Sequence, residues 1–118
     1  MRGKIIAYAR ERYATEPEYL WLKTPDAFVL RNTRSKKWYA LVMGVRKSAV
    51  GLDGEDGIDL LNVKCSPLSR EVLIGEGKAI PAYHMNKRLW LSVFIDKVSE
   101  QELYGIIDES YDIINENG

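Results

Sequence analysis

The sequence predicts a two-layer α+β fold in which an antiparallel five-stranded sheet carries helices on one face, in the order α-β-β-β-α-β-β-α. Three observations predict it. Segments with helical spacing stand at both ends of the chain, segments rich in β-branched and aromatic residues lie between them, and short polar turns join those segments into hairpins. Hairpins interspersed with helices are typical of an antiparallel sheet with helices packed on one side.

Length and composition indicate one globular domain spanning residues 1–118. Apolar residues make up 46% of the chain and charged residues 29%, whereas disordered chains are poorer in apolar residues. The single cysteine, Cys65, excludes an internal disulfide and is typical of a reducing, cytoplasmic environment. No apolar run approaches the ~20 residues that span a bilayer, and the charged N-terminus is unlike a signal peptide. We therefore expect no membrane association.

The first helix is predicted over residues 2–13, because Ile5, Ile6, Ala9 and Tyr13 share one face at helical spacing. The last helix begins at Ser99, which forms a capping box with Glu102. Apolar residues then repeat every three or four positions along it, at Leu103, Ile106, Ile107, Tyr111 and Ile114.

A shorter helix is predicted between the two groups of strands. It begins at Ser66-Pro67, where serine is a favourable N-cap and proline is tolerated in the first turn, and it ends at Gly75-Glu76-Gly77. Leu68, Val72 and Leu73 are predicted to face inward.

The strands are predicted at residues 27–31, 37–43, 58–64, 78–83 and 89–95. The first two flank a polar turn with a basic tip, and the last two flank the turn 84–88. Strict alternation along the second strand places Trp38, Ala40 and Val42 on one face and Tyr39, Leu41 and Met43 on the other. Because both faces are apolar, we expect each to be partly covered.

The charges balance to a net of zero, with 17 cations and 17 anions, which argues against strong, non-selective binding of nucleic acid. Their distribution is uneven. Residues 31–47 contain six cations and no acid, and residues 99–118 contain six acids and no cation. This asymmetry predicts a dipolar molecule or, alternatively, two ordinary solvated faces.

No enzyme signature stands out. Cys65 and His84 form the sole possible thiol–imidazole pair, and the sequence has no Gly-rich phosphate loop and no Gly-x-Ser-x-Gly turn. One His and one Cys are too few for a zinc site, and a calcium loop starting at Asp53 fails because its twelfth position is Lys64. We therefore expect no catalysis, no metal and no cofactor. A lone cysteine or histidine is also commonly structural. Whether Cys65 and His84 have a functional or a structural role therefore stays open.

Two polar segments are candidates for binding an anion such as a phosphate. The basic tip supplies Arg31, Arg34, Lys36 and Lys37, with Trp38 beside it, and a β-ribbon of this kind enters DNA grooves. The turn 84–88 supplies His84, Asn86 and Lys87 between apolar flanks. The alternative is that the basic tip is an exposed turn kept soluble by charge and that His84 is a structural group hydrogen-bonded across its turn. The tryptophans would then belong to the core or to a subunit contact.

Residues 81–90, Pro-Ala-Tyr-His-Met-Asn-Lys-Arg-Leu-Trp, resemble the signature of the MmcQ/YjbR-like family of small bacterial proteins. The resemblance extends to residues 15–19, 37–41, 62–65 and 108–111 in the same order. It implies a fold similar to frataxin-like and secretion-chaperone-like domains, and DNA binding by analogy with a double-wing domain. It also implies a shared polar site at Lys64, His84, Asn86 and Lys87. The family often has a second His where this chain has Leu89.

Three functions therefore stand side by side. The first is binding of double-stranded DNA by the basic tip together with His84, Asn86 and Lys87. The second is a protein-interaction or chaperone-like module that uses an open sheet face and exposed tryptophans. The third is a small anionic ligand at Lys64, His84, Asn86 and Lys87. The sequence leaves open whether the protein is a monomer or a homodimer.

Overall fold

The predicted fold class and element order are confirmed in a computed structural model, which describes the backbone of residues 1–116 and the side chains of residues 1–115. Along the chain lie α1 (Arg2–Tyr13), β1 (Phe28–Arg31), β2 (Trp38–Arg46), β3 (Gly57–Lys64), α2 (Pro67–Gly75), β4 (Ala79–Pro81), β5 (Trp90–Phe94) and α3 (Glu100–Glu116). Within that part of the chain, no helix is long and apolar enough to cross a lipid bilayer.

The five strands form one antiparallel sheet in the order β1-β2-β3-β5-β4. Because neighbours run in opposite directions, the β1–β2 turn, the C-terminal end of β3 and the β4–β5 turn all lie at one end of the sheet. We call this the turn end, made of residues 32–37, Lys64 and residues 82–89. The loop 47–56 lies at the opposite end, where Arg46 pairs with Gly57. That pairing extends β2 beyond its predicted end at Met43.

The main core lies between the sheet and its helices, on what we call the helix face. Ile5 and Ala9 of α1, together with Leu103, Ile107 and Ile114 of α3, are almost fully buried there. The sheet contributes a matching layer, which includes Phe28, Leu30, Val42, Leu61, Val63, Leu91 and Val93. The helical spacing seen in the sequence thus identifies the residues that pack on the sheet.

The helix α2 packs differently from the prediction. Leu73 is buried, but Leu68 is 71% exposed and Val72 is 47% exposed, so their predicted inward orientation is wrong. A helix turns by about 100° per residue, so Val72 cannot share the inward direction of its neighbour Leu73. Leu68 and Val72 instead line a groove between α2 and α3 with a volume of about 370 Å³.

The second face of the sheet, which we call the open face, is partly covered. The loop 47–56 folds over it, and Val50, Ile58, Leu60 and Phe94 form a small buried cluster there. Tyr83 from the β4–β5 turn packs against the same cluster. Two local segments therefore shield a surface that would otherwise face solvent.

An irregularity in β2 changes the predicted alternation. Leu30 pairs with Ala40 but Arg31 pairs with Trp38, so Tyr39 is the extra residue of a β-bulge. As a result Tyr39 and Ala40 both pack in the main core, whereas Trp38 contacts Trp21 on the open face. The predicted placement of Trp38 with Ala40 and Val42 is wrong, because the bulge shifts the two-residue period by one position.

The first two residues of the segment 108–111 in α3 form hydrogen bonds that hold the other two helices in place. Asp108 accepts hydrogen bonds from the hydroxyl groups of Tyr8 and Tyr13. Burial and the bond to this carboxylate raise the pKa of Tyr8 to about 12, which keeps its hydroxyl protonated as a donor. Glu109 accepts from the backbone N–H of Ser66 at 2.7 Å, next to the N-terminus of α2.

The next two residues, Ser110 and Tyr111, form hydrogen bonds with the turn end of the sheet. The hydroxyl of Ser110, fully buried, donates to the Tyr39 carbonyl at 2.6 Å and accepts from the Lys64 N–H at 3.0 Å. It therefore bridges β2 and β3 beyond the last pair of their ladder, Leu41 with Asn62. Tyr111 accepts a hydrogen bond from the Asn32 side chain at 3.1 Å, which ties the β1–β2 turn to α3.

The basic segment 31–47 does not form one face. β2 spans nine residues, roughly 30 Å of extended chain, so Arg46 and Lys47 lie at the opposite end of the sheet from the basic tip. The tip itself contacts the acidic helix α3 through Asn32 and Asn115, at 2.8 Å. The six cations of this segment therefore lie at two opposite ends of the sheet.

Candidate functional site

The candidate residues from both polar segments lie at the turn end of the sheet. Arg34, Lys36 and Lys37 belong to the β1–β2 turn, His84, Asn86 and Lys87 belong to the β4–β5 turn, and Lys64 ends β3 between them. The strand order produces this grouping, since β3 stands between the two hairpins. Residues more than 45 positions apart in the sequence are thereby brought to one surface.

The β1–β2 turn is held by its own hydrogen bonds. The side-chain oxygen of Asn32 accepts from the N–H groups of Arg34 and Ser35, each at 2.9 Å. Lys36 adopts the left-handed conformation, with φ of 65°, and its N–H donates to the Asn32 carbonyl. The backbone is thus fixed while the side chains of Arg34 and Lys36 are exposed to solvent.

Arg31 differs from the other cations of the tip. Its Nε lies 2.9 Å from a carboxylate oxygen of Glu18, and Glu18 is held in place by backbone hydrogen bonds to Val29. The charge of Arg31 is therefore largely neutralised within the chain. We expect it to contribute less to anion binding than the sequence predicts.

Lys64 faces the open side of the sheet beside Trp90. Its ammonium nitrogen lies 5.5 Å from the centre of the Trp90 ring, a cation–π contact that positions the charge without neutralising it. Trp90 itself is 9% exposed. The burial of Trp90 agrees with the alternative that the tryptophans belong to the core, and the expectation of exposed tryptophans is wrong for this residue.

Two of the predicted ligand-binding side chains also build the β4–β5 turn. The side-chain oxygen of Asn86 accepts from the Arg88 N–H at 2.9 Å, and its backbone carbonyl accepts from Trp90. The Lys87 ammonium donates to the Ala82 carbonyl at 3.1 Å. The Asn86 amide can still donate, and Lys87 retains two further N–H groups, since an ammonium has three.

A buried polar chain anchors this turn to the sheet. The Asn62 amide donates to the Leu41 carbonyl at 3.2 Å, the Ser92 hydroxyl donates to the Asn62 side-chain oxygen, and the Tyr83 N–H donates to Ser92 at 2.8 Å. Asn62 and Ser92 are fully buried. Sequence reasoning did not single them out, although polar residues inside otherwise apolar strands were the available signal.

Replacing Ser92 with alanine is expected to loosen the β4–β5 turn. The substitution leaves the Tyr83 N–H and the Asn62 oxygen without their partner, which costs about 1–3 kcal/mol. Urea denaturation measures the loss, and hydrogen exchange at the Tyr83 amide should accelerate with it. Ser99→Ala, at an exposed helix cap, is the control, and faster exchange at Tyr83 in that variant would contradict the anchoring role.

His84 stands at the rim of a cavity on the open face. It adopts a left-handed backbone conformation with φ of 55°, and its ring packs edge-on against Tyr83 at 4.0 Å between ring centres. The cavity has a volume of about 160 Å³ and is also lined by Trp21, Leu41 and Met43. Trp21 in turn contacts Trp38 at 5.9 Å between ring centres, so the cavity adjoins the basic tip.

Cys65 lies away from this surface. It packs against the main core on the helix face and lines the α2–α3 groove, whereas His84 is on the open face, so the thiol and the imidazole do not meet. Burial raises the pKa of the Cys65 thiol, which disfavours the reactive thiolate. Over the described residues, no three His, Cys, Asp or Glu side chains converge where a metal ion would bind.

Gly105 also faces the α2–α3 groove. A Cβ atom added at this position would meet no atom within 4 Å. The glycine therefore does not serve a close approach to another described part of the chain.

The architecture and the polar turn end define a small two-layer α+β protein with two hairpin turns at one end of its sheet. The chain belongs to the YjbR family, whose sequence profile matches residues 2–113. It is 40% identical over 111 residues to the uncharacterized protein YyaQ of Bacillus subtilis (strain 168), covering 93% of this chain and 94% of that protein.

Solved structures from Pseudomonas syringae are similar throughout. A crystal structure of a structural-genomics target superposes with a TM-score of 0.84 at 32% identity, covering 96% of this chain and 97% of the other. A solution NMR structure gives the same TM-score and identity and covers 91% of that chain. The family resemblance predicted from the sequence is thereby confirmed.

Proposed function

We propose that this protein binds double-stranded DNA at the turn end of its sheet, without catalysing a reaction. The observation that carries the proposal is the position of two polar turns on the same end of the sheet, with Lys64 between them. Arg34, Lys36 and Lys37 contact phosphates on one side, and Lys87 does so on the other. His84 and Asn86 add further hydrogen bonds.

The spacing of the two turns supports this geometry. Three strand spacings separate the β1–β2 turn from the β4–β5 turn, and at about 4.8 Å each they amount to about 14 Å. The major groove of B-DNA is ~12 Å wide. Two turns at this separation match the phosphate backbones on either side of a groove, with Lys64 between them.

The number of available cations sets the expected strength of binding. Arg31 is paired with Glu18, so the proposed phosphate contacts are those of Arg34, Lys36, Lys37, Lys64 and Lys87. Four to six phosphate contacts give a slope of roughly −4 to −5 for the logarithm of affinity against the logarithm of salt concentration. Binding is therefore moderate and strongly salt-dependent, in keeping with a net charge of zero.

Titration of a fluorescently labelled duplex at several salt concentrations tests the proposal. Wild-type protein is expected to show saturable binding at ~50 mM salt with the slope given above. The double variant Arg34→Gln/Lys36→Gln should lose about two units of slope, since each phosphate contact contributes about 0.9.

The matched control is Arg46→Gln/Lys47→Gln, which removes two cations from the opposite end of the sheet. Its slope should stay at the wild-type value. Absence of saturable binding at ~50 mM salt, or an equal loss in both double variants, would contradict the proposed interface.

A further inference from the structure

We propose that the cavity beside His84 holds a single unstacked nucleobase of the bound DNA. This inference rests on the proposed function and adds a preference to it. The protein would bind DNA that contains an unpaired base more tightly than a perfectly paired duplex.

The size and lining of the cavity fit one planar ring system. Its volume is about 160 Å³, close to the ~150 Å³ of an apolar protein cavity that accepts a benzene ring. Leu41 and Met43 from β2 contribute apolar surface, and Trp21 and Tyr83 contribute aromatic surface. Bases stack on aromatic side chains without sequence preference, because each base has a π-face.

The rim of the cavity supplies the hydrogen bonds that a base edge requires. His84 and Thr24 both line the cavity, and both are exposed residues. An imidazole can donate or accept, and so can a hydroxyl. Apolar surface combined with two adaptable polar groups suits a nucleobase better than it suits a phosphate or a sugar.

The cavity also lies where a bound strand would pass. Trp21 links it to Trp38, which directly follows Lys37 of the basic tip. His84 links it to the β4–β5 turn, three residues before Lys87. A duplex held by both turns would place one of its strands at the mouth of the cavity between them.

The backbone at His84 is held in an uncommon conformation that brings this residue to the rim. A non-glycine residue with φ of 55° is uncommon. Hydrogen bonds fix the chain on both sides, from the Tyr83 N–H to Ser92 and from Lys87 to the Ala82 carbonyl. The rim is therefore formed before any ligand arrives.

The experiment compares two labelled duplexes, one fully paired and one with a single unpaired 2-aminopurine. Wild-type protein is expected to bind the second about tenfold more tightly, in line with the value of stacking one base on an aromatic side chain. The fluorescence of the 2-aminopurine, followed during the titration, reports its transfer into the cavity.

Two variants change the cavity without touching the cations, one by filling its mouth and one by removing an aromatic wall. Thr24→Trp places an indole at its mouth from an exposed position, and Trp21→Ala removes one aromatic side chain. Both should bind the paired duplex as the wild type does and lose the tenfold preference. Leu22→Trp, at a residue that is 99% exposed and outside the cavity, should keep the preference.

The outcomes separate this inference from the proposed function. Equal affinity of the wild type for both duplexes overturns the base site and leaves DNA binding intact. A preference that persists in both Thr24→Trp and Trp21→Ala also overturns it. If neither duplex binds at ~50 mM salt, the proposed function fails and the base site fails with it.

Discussion

Replacement of Ile107 by alanine is expected to lower the free energy of unfolding by about 3–4 kcal/mol. Ile107 is fully buried between α3 and the sheet, so truncation removes its packing and leaves a cavity in the main core. Chemical denaturation in urea, followed by circular dichroism, measures the change.

The neighbouring residue provides a matched control. Ile106 has the same side chain and the same helical environment, but it is only partly buried and lines the α2–α3 groove. Ile106→Ala should cost roughly 1 kcal/mol, since less apolar area is exposed to water on unfolding. Equal losses at the two positions would show that the helix is rotated relative to the packing described above.

Replacement of Ser110 by alanine is expected to cost about 2–4 kcal/mol, far more than removal of one oxygen from a typical surface serine. The Lys64 N–H and the Tyr39 carbonyl both lose their partner, and Ser110 is fully buried, so water cannot substitute without rearrangement. Urea denaturation gives the free energy, and faster hydrogen exchange at the Lys64 amide gives the location.

Ser35→Ala serves as the comparison for this second substitution. The Ser35 hydroxyl accepts one hydrogen bond, from the Lys37 N–H at 3.3 Å, in an exposed turn. Its removal should change stability by no more than ~0.5 kcal/mol. A small effect at Ser110, comparable to that at Ser35, would mean that the ends of β2 and β3 do not depend on the bridge.

Most of the fold could be predicted because its signals are local. The side chains that cap a helix lie directly beside it in the sequence. Ser66, for example, accepts a hydrogen bond from the Ser69 N–H, as expected of an N-cap. Likewise Ser99 and Glu102 exchange the two hydrogen bonds of a capping box. These contacts depend on residues three positions apart, which a sequence displays directly.

The errors arose where distant residues decide the outcome. The bulge at Tyr39 depends on how β1 and β2 pair, and no residue type in the sequence predicts it. The exposure of Leu68 depends on where α2 sits relative to α3. The neutralisation of Arg31 depends on an isolated bridge between Glu18 and Val29. Each is a property of tertiary arrangement rather than of local pattern.

The candidate site was predicted in part. The sequence identified the two polar turns, but their meeting at one end of the sheet required the strand order β3-β5-β4. The family resemblance implied a binding role for Lys64, His84, Asn86 and Lys87 and none for the other matching residues. Several of them prove to hold the fold, including Asn62, Ser110 and Tyr111, because buried polar groups need defined partners.

The segment 108–111 has one more consequence, which concerns the rotational freedom of α3. Four successive residues of a helix point about 100° apart, so together they cover its whole circumference. Here each of the four is bonded to a different neighbour: α1, the start of α2, the β2–β3 seam and the β1–β2 turn. A one-residue slip or a twist of the helix would break all four contacts at once. A ligand that displaces the strand ends would therefore have to move α3 as a rigid body.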